Sequence, residues 1–203
     1  MANTIQWVIF DLGGVILNFK GSFARLSSAL GIDQASLEKS YYRHADLAAC
    51  GKISTAEFWK RIQQDLQPVN AAAIADYEEF WTDNFTAIPE THALLRELSG
   101  RYRLGIMSNT EFGVYERALR KGHIPTVPFE VVIKSCDVGI VKPDQRIYQI
   151  AQDQTGVTPG EILFIDDRPE NVEAALAQGW RGILFDEANP GQSTAEIKAT
   201  LDG

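Results

Sequence analysis

Cysteine is scarce in this 203-residue chain, which has only Cys50 and Cys136. Two cysteines without metal-ligand spacing exclude a disulfide framework and a cysteine-rich zinc site, and both are expected to be reduced packing residues. No apolar run approaches the roughly 18 residues that a membrane span requires. The opening "MANTIQ" lacks the basic region and long apolar stretch of a secretory leader, so a cytoplasmic location is expected. Cations are outnumbered, 19 Lys and Arg against 27 Asp and Glu, for a net charge of −8. That balance excludes a broad surface for nucleic acid or anionic membrane. It leaves room for a small anionic ligand, because one lysine or a bound metal reverses the potential locally. Internal repeats, low-complexity tracts and flexible linkers are also missing, so the length suits one domain with a sizeable insertion or two small ones.

What is present is an alternation of short apolar runs and amphipathic segments. "WVIF" (7–10), "LGIMS" (104–108), "FEVVIKS" (129–135), "ILFID" (162–166) and "GILF" (182–185) are continuous apolar, mostly β-branched runs. Runs of that kind predict strands covered on both faces, as in a parallel sheet. Between them, "PETHALLRELSG" and "PENVEAALAQG" each open on proline and stop at glycine, the punctuation of helices. The expected fold is α/β, a Rossmann-like doubly wound parallel sheet of about five strands in the order 3-2-1-4-5. Residues 20–88 break the alternation, with no convincing strand and about four amphipathic helices, one opened by the capping-box pattern Ser54-Thr55-Ala56-Glu57. An insertion of that size is too long for a simple crossover. The expected organisation is a core of residues 1–18 and 88–203 carrying a helical cap, 19–87.

Polar residues collect where the strands end. Asp11 closes the first strand, Ser108 and Asn109 the second, Asp166 and Asp167 the fourth, and Lys142 follows the third. Ligands of open α/β sheets bind beyond the carboxyl ends of the strands, where strand order reverses. Adjacent carboxylates repel unless they share a cation, and an all-oxygen set of this kind suits Mg²⁺. With a lysine and a hydroxyl beside it, such a site can hold and attack a phosphoryl group.

Four segments in this order, "FDLGGVIL", "MSNT", "VKPD" and "FIDDRPEN", resemble the four motifs of the haloacid dehalogenase superfamily. With the helical insertion after the first motif, the resemblance is to its helical-cap phosphatase branch, including proteins similar to glucose-1-phosphate phosphatases. It implies an Mg²⁺-dependent hydrolase acting on a small phosphorylated metabolite, such as a hexose 1-phosphate, through an aspartyl-phosphate. Asp11 would be the nucleophile and a metal ligand. Gly13 would lend its carbonyl to the metal, Asp167 would bind it directly and Asp166 through water. Gly14, Ser108, Asn109 and Lys142 would bind the phosphoryl group, with Lys142 also compensating charge. Asn171 would orient the acidic pair.

Gly13 departs from the family pattern, which has an aspartate there to protonate the leaving oxygen and activate water. Restoring it with Gly13→Asp is expected to help poor leaving groups most. Two further readings follow from the glycine. A halide leaves without a proton, as in a 2-haloacid dehalogenase, and a non-catalytic relative would only bind a phosphometabolite or a protein. Substrate choice is expected in the cap, at a loop around "YYRHADLAACGKIS" that offers Tyr42, Arg43, His44 and Lys52.

Overall fold

The computed structural model describes residues 4–203. Its centre is a five-stranded parallel sheet formed by β1 (Trp7–Phe10), β4 (Arg103–Ser108), β5 (Phe129–Lys134), β6 (Ile162–Asp166) and β7 (Arg181–Leu184). The order is β5-β4-β1-β6-β7, which is the expected 3-2-1-4-5 when only these strands are counted. β1 is the switch point, pairing with β4 on one side and β6 on the other. Period-two alternation explains why its run is continuously apolar. Val8 and Phe10 join one buried cluster, while Trp7 and Ile9 join another on the opposite face with α8 (Gln145–Thr155) and α9 (Pro169–Ala177).

The outer strands are less enclosed than the sequence suggests. Only Val131 and Ile133 of β5 are buried, with Glu130 exposed, and Leu184 on β7 is 50% exposed. Both strands lie at the sheet edges, where one side lacks a neighbour.

Between the first two sheet strands, β2 (Leu17–Asn18) and β3 (Thr86–Ala87) pair antiparallel. This two-residue ribbon, absent from the sequence reading, ties together the ends of the insertion. The insertion holds α1 (Lys20–Leu30), α2 (Gln34–Ala49), α3 (Thr55–Leu66) and α4 (Tyr77–Asp83). Each of the last three begins with an N-cap side chain accepting from a backbone amide: Asp33 from Ser36, Ser54 from Glu57 and Asp76 from Glu79. Those caps satisfy orphan donors that the first turn cannot. Only half of the capping box forms, because the Glu57 carboxylate turns to Arg61 instead.

Aromatic side chains fasten the insertion. Tyr41 stacks on Trp81 with ring centroids 5.2 Å apart, and Phe23 meets Trp81 edge-on at 5.0 Å. Phe23, Tyr41, Phe58 and Trp81 belong to the same buried cluster as Val8, Phe10 and Ile106 of the sheet. After the insertion, α5 (Pro89–Leu98), α6 (Val114–Arg120), the short α7 (Ser135–Val138) and α10 (Pro190–Asp202) complete the order. No helix among the described residues is long and apolar enough to cross a membrane.

Candidate active site

The turn after β1 decides how Asp11 is presented. Gly14 adopts a left-handed backbone, φ +80°, and a Cβ there would overlap the Asp167 carboxylate, so only glycine fits. The turn also closes on itself: the amide of Gly14 donates to the Leu17 carbonyl at 2.7 Å, and those of Ile16 and Leu17 donate to Leu12. Gly14 therefore cannot offer its amide to a phosphoryl oxygen as expected. Its contribution is the room it leaves for Asp167. At Gly13, a Cβ would lie 2.8 Å from the Phe19 ring. Phe19 thus crowds the position of a residue-13 Cβ, and Gly13→Asp requires the ring to shift.

Lys142 sits between two carboxylates. Its Nζ is 2.9 Å from Asp11 Oδ1 and 2.6 Å from Asp166 Oδ2, with the lysine side chain 1% exposed. Burial alone would lower the lysine pKa, but the two anions outweigh it and the pKa is raised. Asn109 fixes the loop that delivers this lysine, its Nδ2 donating to the Lys142 carbonyl at 2.9 Å and its Oδ1 accepting from the Lys142 amide at 2.8 Å. Asn109, expected at the phosphoryl group, thus spends its side chain on positioning Lys142.

The two adjacent aspartates differ in what they face. Asp166 is fully buried and spoken for: Lys142 Nζ, the Arg168 amide at 2.9 Å and Asn171 Nδ2 at 3.0 and 3.1 Å all donate to it. Asp167 is half-buried and lines the cavity instead. Asp11, Asp166 and Asp167 each bring one carboxylate oxygen to within 4.8 Å of the others. Burial raises the Asp11 pKa to about 6, opposed by Lys142 and reinforced by Asp166. Burial, with Asp11 and Asp166 nearby, raises Asp167 to about 7. The Asp11 oxygen facing Lys142 is buried and has no hydrogen bond of good geometry. Spare acceptor capacity and mutually repelling carboxylates are the donor set that a hard divalent cation satisfies, so the residues fit Mg²⁺.

Above them lies a cavity of about 400 Å³ whose lining includes Asp11, Gly13, Ser108, Asn109, Lys142, Asp167 and Asn171. Its roof is a face of α2. Tyr41, Tyr42, Ala45, Asp46 and Ala49 line it, at the i, i+1, i+4, i+5, i+8 spacing of a helix surface. The expected loop at 41–49 is therefore helix, and that corrects the rest of the cap assignment. Arg43 and His44 project roughly half a turn away, where Arg43 NH1 is 2.9 Å and His44 Nε2 3.0 Å from Asp65 on α3. Lys52 lies in the exposed turn beyond α2 and is not in the cavity lining. Of the four, Tyr42 alone reaches the cavity.

Phe19, Lys20, Glu111, Arg168 and Glu187 also line it and were missed. Glu111 carried a usable signal, because it stands three residues after Ser108, just beyond a strand end like the other acids. Lys20 is paired with Glu187, and Arg168 with Glu170.

Comparison with known proteins agrees with this architecture. The family profile for haloacid dehalogenase-like hydrolases matches residues 5–179. A phosphatase of Mycobacterium tuberculosis (strain CDC 1551 / Oshkosh), MT3486, is 30% identical over 98% of each chain. (S)-2-haloacid dehalogenase 4A of Burkholderia cepacia is 23% identical, covering 94% of this chain and 87% of its own. Acyl-CoA dehydrogenase family member 10 of Mus musculus is 26% identical across 96% of this chain, which spans only 19% of that longer protein. Among solved structures, a HAD-like family hydrolase from Porphyromonas gingivalis superposes with TM-score 0.77 at 25% identity, covering 98% of this chain and 99% of that one. A HAD family enzyme from Bacteroides thetaiotaomicron, in complex with magnesium and inorganic phosphate, superposes with TM-score 0.70 at 21% identity over 90% of this chain and 95% of that one. With a profile match over most of its length and the ordered site residues in place, the chain belongs to the haloacid dehalogenase-like hydrolase family.

Proposed function

We propose that the protein is an Mg²⁺-dependent phosphatase of small phosphorylated metabolites, with the insertion 19–87 as the cap over its site. The observation that carries this reading is the buried Asp11–Lys142–Asp166 arrangement, with Asp167 beside it, at the floor of the cavity beneath α2. Asp11 attacks phosphorus, and the bond to the leaving oxygen breaks to give an aspartyl-phosphate that water then hydrolyses. Lys142 neutralises charge at the attacking carboxylate and the phosphoryl oxygens, and Ser108 donates its hydroxyl to the latter. Bound through Asp11, Asp167 and the Gly13 carbonyl, Mg²⁺ would supply further neutralisation of the phosphoryl group. Asp166 and Asn171 hold Lys142 in place.

The lining supports a neutral, hydroxyl-bearing leaving group such as a sugar. Phe19, Tyr41 and Tyr42 provide aromatic surface, and Asp46 and Glu111 provide hydroxyl acceptors. A 2-haloacid would bring its carboxylate against Asp167 in a cavity whose cations are already paired, which disfavours dehalogenation. The test is a panel of phosphorylated metabolites, hexose 1-phosphates included, with and without Mg²⁺, plus acid-quench trapping of labelled phosphate on the protein. Asp11→Asn should abolish turnover and trapping together. Halide release from a 2-haloacid in chelator, with no phosphoester turned over, overturns the reading.

A further inference from the structure

Loss of the residue-13 carboxylate leaves a chemical gap. Something must give a proton to the leaving oxygen and take one from the attacking water, and Phe19 already crowds the place beside Gly13. The replacement must therefore come from elsewhere in the cavity lining. Five carboxyl groups line the cavity besides any on the floor that are fully enclosed: Asp11, Asp46, Asp167, Glu111 and Glu187. Asp11 is the nucleophile and Asp167 belongs to the metal set. Asp46 is exposed, and Glu187 is ion-paired with Lys20. Glu111 is the one left, and it is buried, 7% exposed.

We propose that Glu111 is the acid-base residue of this site, acting on the leaving oxygen and then on the hydrolytic water in place of the missing residue-13 carboxylate. The proposal rests on the phosphatase reading. Glu111, Gly13, Phe19, Tyr41, Ser108 and Asn109 line both the main cavity and a smaller one of about 70 Å³. That shared lining puts the acid in the neighbourhood of the phosphate-binding serine and the crowded residue-13 position. Tyr41 Oη donates to Glu111 Oε1 at 3.0 Å, which fixes the carboxyl against α2.

Groups on two cap helices face Glu111. Tyr41 faces it from α2, and Tyr77 and Glu78 from α4. Glu78 is itself paired with Arg117, and the Tyr77 hydroxyl is buried without a hydrogen-bond partner. Burial raises the Glu111 pKa and Glu78 adds to the rise, against the hydrogen bonds from its own backbone amide and Tyr41. A buried carboxyl whose pKa is raised above the ordinary range is suited to general acid work.

The steps balance. As the Asp11 carboxylate oxygen bonds to phosphorus, the bond from phosphorus to the leaving oxygen breaks, and that oxygen takes the Glu111 proton. The Glu111 carboxylate then takes a proton from water as the water oxygen bonds to phosphorus. The bond from phosphorus to Asp11 breaks, its electron pair returns to the Asp11 carboxylate, and inorganic phosphate and protonated Glu111 remain.

The decisive experiment is rapid-quench kinetics on the full chain with Mg²⁺, comparing wild type with Glu111→Gln, an isosteric stand-in for the neutral acid. Two substrates are used: p-nitrophenyl phosphate, whose leaving group needs no proton, and an alkyl phosphate such as a hexose 6-phosphate, whose leaving group does. Expected is a loss of roughly 10²-fold in phosphorylation by the alkyl ester. Phosphorylation by p-nitrophenyl phosphate should stay within a few-fold, and the phosphoenzyme should persist longer with both. An equal loss for both substrates assigns Glu111 a structural role and overturns the proposal, as does no loss. Tyr41→Phe gives an independent readout: without that donor, the high-pH fall in alkyl-ester turnover should move to higher pH, and an unmoved profile also counts against Glu111. If wild type turns over neither substrate, the phosphatase reading itself has failed. If wild type is active and Glu111→Gln matches it, only the Glu111 assignment has failed.

Discussion

Replacing Lys142 with methionine keeps the length and apolar stem of the side chain and removes its charge, so it isolates the electrostatic role of the residue. Lys142 makes ion pairs of 2.9 and 2.6 Å with Asp11 and Asp166, and neither its side chain nor that of Asp166 exceeds 1% exposure. Deleting one partner of a buried ion pair costs about 3–5 kcal/mol, because the remaining charge is stranded without water. Against a total stability of about 5–15 kcal/mol, that is a large share. With a denaturant slope of about 2 kcal/mol/M, the urea midpoint in chelator should fall by roughly 2 M.

The loss should also depend on pH. In the wild-type fold the Asp11 pKa is raised to about 6, with Lys142 opposing the rise. Removing the lysine lifts it further. A carboxyl whose folded pKa exceeds its unfolded value favours the fold fully below the unfolded pKa and loses that contribution as pH rises through the folded one. At pH 5 Asp11 is largely protonated in both proteins, so the gap between wild type and Lys142→Met should be smaller there than at pH 8. Urea titrations at the two pH values measure it. A gap of equal size at both would mean that packing, not charge, is lost, and a gap below about 1 kcal/mol at pH 8 would refute the buried-pair argument.

Mg²⁺ should raise the thermal midpoint more at pH 8 than at pH 5, since Asp11 and Asp167 lose their protons near 6 and 7 and only the ionised forms ligate; a larger rise at pH 5 would contradict carboxylate binding. Gly13→Asp alone should fail to speed alkyl-ester hydrolysis because of the Phe19 ring 2.8 Å from the new Cβ. Added to Phe19→Ala it should recover activity lost in Glu111→Gln, and steady-state rates for the triple variant decide the matter. Gly14→Ala, at φ +80° and against Asp167, should cost roughly 1–2 kcal/mol in stability and weaken Mg²⁺ affinity in calorimetry; an unchanged affinity would detach Gly14 from the metal site.

The sequence displayed those parts of the molecule that follow from local pattern. Val8 and Phe10 on one face and Trp7 and Ile9 on the other produce a continuous apolar run, as a strand covered on both faces does. Asp11, Ser108 and Asp166 then mark strand ends, and topology alone brings them together. Where the reading failed, the deciding contact was distant in sequence or smaller than a pattern. Two-residue strands such as β2 and β3 are too short for periodicity to register. The Gly14 amide is lost to a carbonyl three residues on, a turn closure that no composition reveals.

The cap shows the limit most clearly. Tyr42, Arg43 and His44 look equivalent in the sequence, yet helix geometry turns each by about 100° from the last, and Asp65 of α3 holds Arg43 and His44 away from the cavity. The same rotation carries Tyr41 inward to meet Glu111. A polar residue in a cap is therefore a candidate only once the helix phase is known, and here the phase exchanges a histidine on the surface for a glutamate in the wall. Gly13 follows the same logic: its missing carboxylate reads as an empty position in the sequence, whereas in space Phe19 crowds it. The proposed acid-base residue, Glu111, accordingly lies outside the four motifs.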